Sequence, residues 1–102
     1  MSYIYAFVNR ISGKIYVGRT KRSPYRRFLE HIQSADYISR AIRPQNDHFY
    51  VVTLEVVPTR PPGGFSNSRK QDFLHVRRRE NAWIHRLDSI ARGYNRKVEI
   101  LP

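Results

Sequence analysis

Apolar and polar positions change their spacing along this chain, and each change marks an element. Residues 3–8, YIYAFV, alternate: Ile4, Ala6 and Val8 point one way, Tyr3, Tyr5 and Phe7 the other. Residues 14–18, KIYVG, alternate again, and Asn9, Ser12 and Gly13 between the two runs carry turn chemistry. This predicts a hairpin whose second strand ends at Gly18. Pairing Ile4 with Val17, Ala6 with Ile15 and Tyr5 with Tyr16 keeps the aliphatic set together, whereas a slip of one residue sets it against the tyrosines. The expected hairpin has an aliphatic core face and a second face with two phenols side by side.

After Gly18 the spacing lengthens to that of a helix. Ser23 suits an N-cap and Pro24 a first turn. Tyr25, Phe28, Leu29 and Ile32 form the apolar stripe, and Arg27 and His31, one turn apart, fall roughly opposite it. Residues 39–43 suit a helical turn that stops before Pro44. Residues 48–57, HFYVVTLEVV, are rich in β-branched residues and read as a strand closed by Pro58. Proline, glycine, serine and asparagine make 59–70 a loop. Residues 71–87 read as a helix with Phe73, Val76, Trp83, Ile84 and Leu87 on one stripe; Gly93 is a natural C-terminal stop, and 96–102 alternate weakly. The predicted order is β-β-α-β-α. It implies an α+β fold in which helices bury their stripes on a small three-stranded antiparallel sheet.

One residue breaks the last stripe. Position 80 shares a face with Val76 and Trp83, and it is Glu80, directly after Arg77, Arg78 and Arg79. A carboxylate on an inner face is costly unless it is ion-paired, hydrogen-bonded or bound to metal. Either an internal salt bridge or a metal ligand in a cleft satisfies that requirement.

Composition narrows the choice. The 102 residues fit one domain, 1–102, and the 19 Lys and Arg against 8 Asp and Glu give a formal charge of +11. A globule so basic favours a polyanionic partner, with nucleic acid ahead of a membrane surface, because no apolar run approaches a spanning length. The absence of cysteine excludes disulfides, thiolate zinc sites and a cysteine nucleophile. The start MSYIYAFVNR lacks the features of a signal peptide, so a cytoplasmic protein is expected. His48, His75 and His85 share no consistent face, which argues against zinc.

The ordered motifs resemble the GIY-YIG nuclease superfamily. Tyr3-Ile4-Tyr5, ten intervening residues and Tyr16-Val17-Gly18 resemble its name motif. Arg27 with His31 resembles its first-helix pair, Glu80 its metal-binding glutamate, and Asn95 in G-Y-N its late asparagine. The R-E-N-A-W-I and G-Y-N pieces resemble the phage-type homing endonucleases of the superfamily. The chain departs from the pattern at Tyr3, where the name has glycine. The span from Gly18 to Arg27 is about one residue longer, which leaves Arg26 as a rival for the arginine role, and the loop at 59–70 is enlarged. The homing enzymes carry a further DNA-binding region, so a missing domain, a partner protein or a free-standing relative is implied, and cleavage of both strands would call for a homodimer or two successive cuts.

What the resemblance implies is a metal-dependent DNA endonuclease. Glu80 would hold one Mg²⁺ or Mn²⁺, since a hard cation that keeps its waters needs one carboxylate plus phosphate oxygens, and no second carboxylate lies near Glu80 on the predicted face. Tyr5 is expected as general base, with Tyr16 on the water or phosphate. A phenol near pKa ~10 becomes a plausible base only beside cations. His31 would relay the proton, Arg27 would clamp the phosphate, and Asn95 would orient Glu80 or a phosphate oxygen. Arg19, Lys21, Arg26, Arg77, Arg78 and Arg79 would contact the nucleic-acid backbone. The alternative is a non-catalytic basic nucleic-acid-binding module, which has no use for Glu80 on an apolar stripe facing an anionic ligand.

Overall fold

β1 (Ser2–Asn9) is the middle strand of an antiparallel sheet ordered β2-β1-β3, with β2 at Ile15–Thr20 and β3 at Phe49–Val57. The computed structural model describes residues 1–33, 37–58 and 68–95. Ile4, Tyr5, Ala6 and Phe7 are all buried. The alternation in YIYAFV therefore sorts side chains between two cores, not between core and water. Tyr5 and Phe7 pack with Phe28, Ile38, Ile42 and Phe49 on one face; Ile4 and Val17 pack with Val57, Val76 and Ile84 on the other.

The hairpin register differs from the expected one by two residues. Ala6 faces Val17, Phe7 faces Tyr16, and Tyr5 faces Gly18 rather than Tyr16. A two-residue shift leaves every side chain on its face, so hydrophobic alternation cannot detect it. The turn and one glycine decide it. Asn9 Oδ1 accepts the N–H groups of Ile11 at 3.0 Å and Ser12 at 3.2 Å, and Gly13 takes a left-handed φ of 77°. Gly18 lies inside β2, not at its end, because the Tyr5 ring lies against it, where a methyl group would collide with the phenol.

α1 (Pro24–Gln33) starts as predicted: the Arg26 N–H donates to Ser23 Oγ at 3.3 Å. Its buried residues are Phe28 and His31, while Tyr25 and Leu29 are exposed. His31 thus belongs to the inner face, which corrects its expected place opposite the stripe. α2 (Tyr37–Ile42) buries Ile38, Ser39 and Ile42, and a 3₁₀ segment, Arg43–His48, follows it with Pro44 at its first turn. Proline starts that segment because the first turn needs no N–H from it. The observed order is therefore β-β-α-α-β-α.

α3 (Ser68–Leu87) covers the opposite face, burying Val76 and Ile84; the Phe73 side chain lies outside the described residues. The helix stops at Asp88, in left-handed backbone at φ 52°, where the Ser89 N–H donates to the Ile84 carbonyl at 3.1 Å. Gly93 is not the stop. It presses on the carbonyls of Ile15 and Ser89, where no Cβ fits, and so lets the Tyr94 N–H donate to Ile15 O at 2.9 Å. Of the loop expected at 59–70, only 68–70 are described, as the start of α3, and the tail 96–102 lies outside. No helix among the described residues is long and apolar enough to cross a membrane.

Candidate active site

α3 lays two consecutive residues of opposite charge onto the sheet. Ile4 of β1 is flanked by Arg19 on β2 and Glu55 on β3. Arg79 reaches Glu55: its Nε donates to both carboxylate oxygens at 3.0 Å and its Nη2 donates to Oε1 at 2.8 Å. Trp83 Nε1 donates to the same carboxylate at 2.9 Å. Glu80 meets Arg19 on the other side, with Nη1 to Oε1 at 3.4 Å. Exchanging residues 79 and 80 would set like charges together on both sides, so this pair fixes how the helix sits. The Arg79 hydrogen bonds, and secondarily the Trp83 N–H, hold the Glu55 carboxyl below its usual range against the cost of burial.

Glu80 is only 8% exposed. A hard divalent cation fits it as a ligand. No group of three His, Asp or Glu that could hold a metal occurs among the described residues, so one carboxylate would serve and phosphate oxygens and water would complete the shell. The 3.4 Å contact with Arg19 is long for a charge-assisted bond and would give way to such an ion.

The other face of the sheet carries Tyr5, Tyr16, Arg27 and His31. Phe7 connects them: its ring lies 4.7 Å from Tyr5, 5.8 Å from Tyr16 and 5.4 Å from His31. His31 stands edge-on to Tyr16 at 6.0 Å, and its Nδ1 shares a 3.2 Å hydrogen bond with buried Ser39 Oγ. The Arg27 charge acts on the Tyr5 phenol, and Arg27 Nη1 donates to Glu30 Oε2 at 3.3 Å. Burial works against the Arg27 charge, and Tyr5 and Glu30 more than offset it. Burial also pushes the Tyr5 phenol far above its ordinary value. Tyr16 and the charge of Glu80 add to that rise, and Arg27 opposes it without cancelling it. Tyr5 is thus a neutral phenol in the free protein, although positive neighbours were expected to favour its phenolate.

The two faces meet at Gly18. The Tyr5 phenol lies against that residue, next to Arg19, and feels Glu80 from across the sheet. Tyr5, Tyr16, Arg27 and His31 therefore come together on one face, and Glu80 with Arg19 on the other, close to their common edge. Of the two rival arginines, Arg26 is exposed, whereas Arg27 is half-buried and its charge acts on Tyr5. Asn95 does not reach Glu80. Its Oδ1 accepts the Val17 N–H at 2.7 Å and its Nδ2 donates to the Val17 carbonyl at 2.9 Å, so it extends the sheet past edge strand β2. Arg79, expected at a nucleic-acid backbone, is here hydrogen-bonded to Glu55. Lys21 and Arg78 are exposed, and Arg77 is half-buried.

Sequence reading missed Phe7, Gly18, Glu30, Ser39 and Glu55 as parts of this arrangement. Glu30, three residues after Arg27, and Phe7, two after Tyr5, are visible in the spacing; nothing in the sequence marks Ser39 or Glu55.

Comparison with known proteins agrees with the geometry. The family model of the GIY-YIG catalytic domain matches residues 1–95. Two solved structures are similar. One is a mutant of the catalytic domain of the intron endonuclease I-TevI, with TM-score 0.69, 24% identity and full coverage of both chains. The other is the catalytic domain of the homing endonuclease I-TevI, with TM-score 0.64 and 26% identity over 93% of this chain and 97% of that one. No curated protein matches.

Proposed function

Given that the chain belongs to the GIY-YIG catalytic-domain family and is a nuclease, we propose that it cuts DNA phosphodiester bonds with one divalent cation at Glu80. Nucleases of this family generally depend on a divalent metal; Mg²⁺ or Mn²⁺ suits a single hard carboxylate. When bound, the ion supplies charge to the scissile phosphate and its leaving oxygen. A substrate as anionic as DNA complements the charge of +11.

The chain's own residues do the rest. Arg27 clamps the phosphate with a planar guanidinium that Glu30 already orients. Tyr5 is the general base. Its proton is held on partly by the negative charge of Glu80, and neutralising that charge brings the phenol closer to ionisation when substrate and metal are in place. Tyr16 hydrogen-bonds the attacking water or the phosphate, and His31, hydrogen-bonded to Ser39, relays onward the proton that Tyr5 has taken. Asn95 is a positioning residue that fixes the β2 backbone beside Tyr16 and Gly18. Arg19 leaves Glu80 to contact the phosphate backbone, together with exposed Lys21, Arg26 and Arg78 and half-buried Arg77.

The observation that carries this reading is the Tyr5 phenol, wedged against Gly18 where it feels the charges of both Arg27 and Glu80. The test is nicking of a supercoiled plasmid with Mg²⁺, with and without chelator, by the wild type and by Glu80→Gln. Nicking that requires metal and disappears in Glu80→Gln is expected. Equal nicking by both proteins would remove Glu80 from the mechanism.

A further inference from the structure

A groove runs between the first turns of α1 and strand β3, and the mechanism leaves it unused. Its volume is about 460 Å³, within the range of about 300–1,000 Å³ for small-ligand clefts. Phe28 and Phe49 line it as buried side chains, Ser23 and Thr53 line it as exposed ones, and Tyr25 lines it while 63% exposed. Tyr25 packs in neither hydrophobic core. The groove also adjoins the active site. Thr53 is the partner of Tyr5 in the β1–β3 ladder, and Phe28 follows Arg27 in α1. Exposed Arg22 and Arg26 bracket Tyr25 in the chain.

An exposed aromatic ring lining an apolar cleft, with Arg26 next to it in the chain, Arg22 (paired with Glu30 at 3.7 Å) just before it, and the proposed phosphate clamp nearby, is a combination suited to an unpaired nucleobase. The cations track the backbone, and the ring stacks on the face that every base has. We propose that this groove receives one unstacked nucleobase of the DNA strand whose phosphate is held at Arg27, with Tyr25 as the stacking ring. This inference rests on the nuclease reading above. The enzyme then favours strands with an unpaired nucleotide beside the cut, where unstacking costs least.

Fluorescence anisotropy in chelator, without cleavage, tests it. The probes are an oligothymidylate and an abasic deoxyribose-phosphate strand of the same length and charge. The wild type and Tyr25→Phe should bind the oligothymidylate roughly five- to hundredfold more tightly than the abasic strand, the range that stacking of a single base supports. Tyr25→Ala should bind both equally, with an unchanged salt dependence, because the phosphate contacts remain. An exposed position makes unfolding by Tyr25→Ala unexpected, and circular dichroism checks that. Equal binding of the two strands by the wild type, or a base preference that survives in Tyr25→Ala, overturns the proposal. So does a loss of self-association in Tyr25→Ala with DNA binding intact, which would assign the groove to a second copy. Plasmid nicking by the wild type is scored separately: its absence would sink the nuclease reading, whereas nicking without base preference sinks only the groove.

Discussion

Glu55 and Glu80 lie on the same face of the sheet, to either side of Ile4, and each meets an arginine. The two are held very differently. Glu55 accepts three hydrogen bonds from Arg79 and one from Trp83, all between 2.8 and 3.0 Å. Glu80 is more buried, yet its contact with Arg19 is 3.4 Å. Short, multiple, bidentate bonds characterise a carboxylate whose task is to fix structure. Glu80 is the more buried carboxylate and lies close enough to Tyr5 for its charge to act on the phenol, which is the basis for proposing it as a ligand. Neighbouring residues of one helix, Arg79 and Glu80, thus differ: the first anchors α3 to β3, and the second is the one proposed above to serve the reaction.

That division can be broken by experiment. Glu80→Gln should lower the cleavage rate by about 10²–10³-fold or more, with little change in melting temperature; a large drop in stability with cleavage retained would reverse the two roles. Glu55→Gln should do the opposite, lowering stability in urea by about 1.5–3 kcal/mol and leaving nicking by the folded protein near wild type. Gly18→Ala tests the seam between the faces. The added methyl meets the Tyr5 phenol, so a stability loss of about 1–3 kcal/mol should accompany a loss of cleavage, and Tyr5→Phe in the same background should recover part of the stability. Asn95→Ala removes two bonds to Val17 and should cost about 1 kcal/mol in denaturant titration, with a smaller effect on rate than Glu80→Gln.

The smallest effect is acid sensitivity. The folded-state pKa of Glu55 lies below its unfolded value, so its contribution is fully present above about pH 4.3. It is lost as the pH falls through the lowered folded value. The stability gap between wild type and Glu55→Gln should therefore close in acid. A gap independent of pH would mean that the Glu55–Arg79 pair acts through packing alone.

Much of the fold was legible because it depends on local period. The strands, the Ser23 cap and the amphipathic helices follow from the spacing of apolar residues, and the misfit of Glu80 stands out against its stripe. Where the reading failed, the deciding contact was distant in sequence or invisible to period. The hairpin register slipped by two because alternation is blind to an even shift. His31 was placed outside because a histidine does not read as core, yet Phe7, Tyr16 and Ser39 enclose it. Asn95 was expected to orient Glu80 or a phosphate oxygen, and its amide bonds Val17, 78 positions earlier, which local spacing could not show.

By itself the sequence determined the three strands, the two amphipathic helices that flank them, the net positive charge and the residue types proposed for a phosphate site, because residue type and local spacing fix secondary structure and chemical capacity. Only the tertiary structure decided how those residues are used. It set Tyr5 against Gly18, kept its proton on by burial, committed Arg79 to Glu55 and left Glu80 with the longer contact. Burial and pairing are properties of what packs around a group, and those neighbours come from other strands and helices.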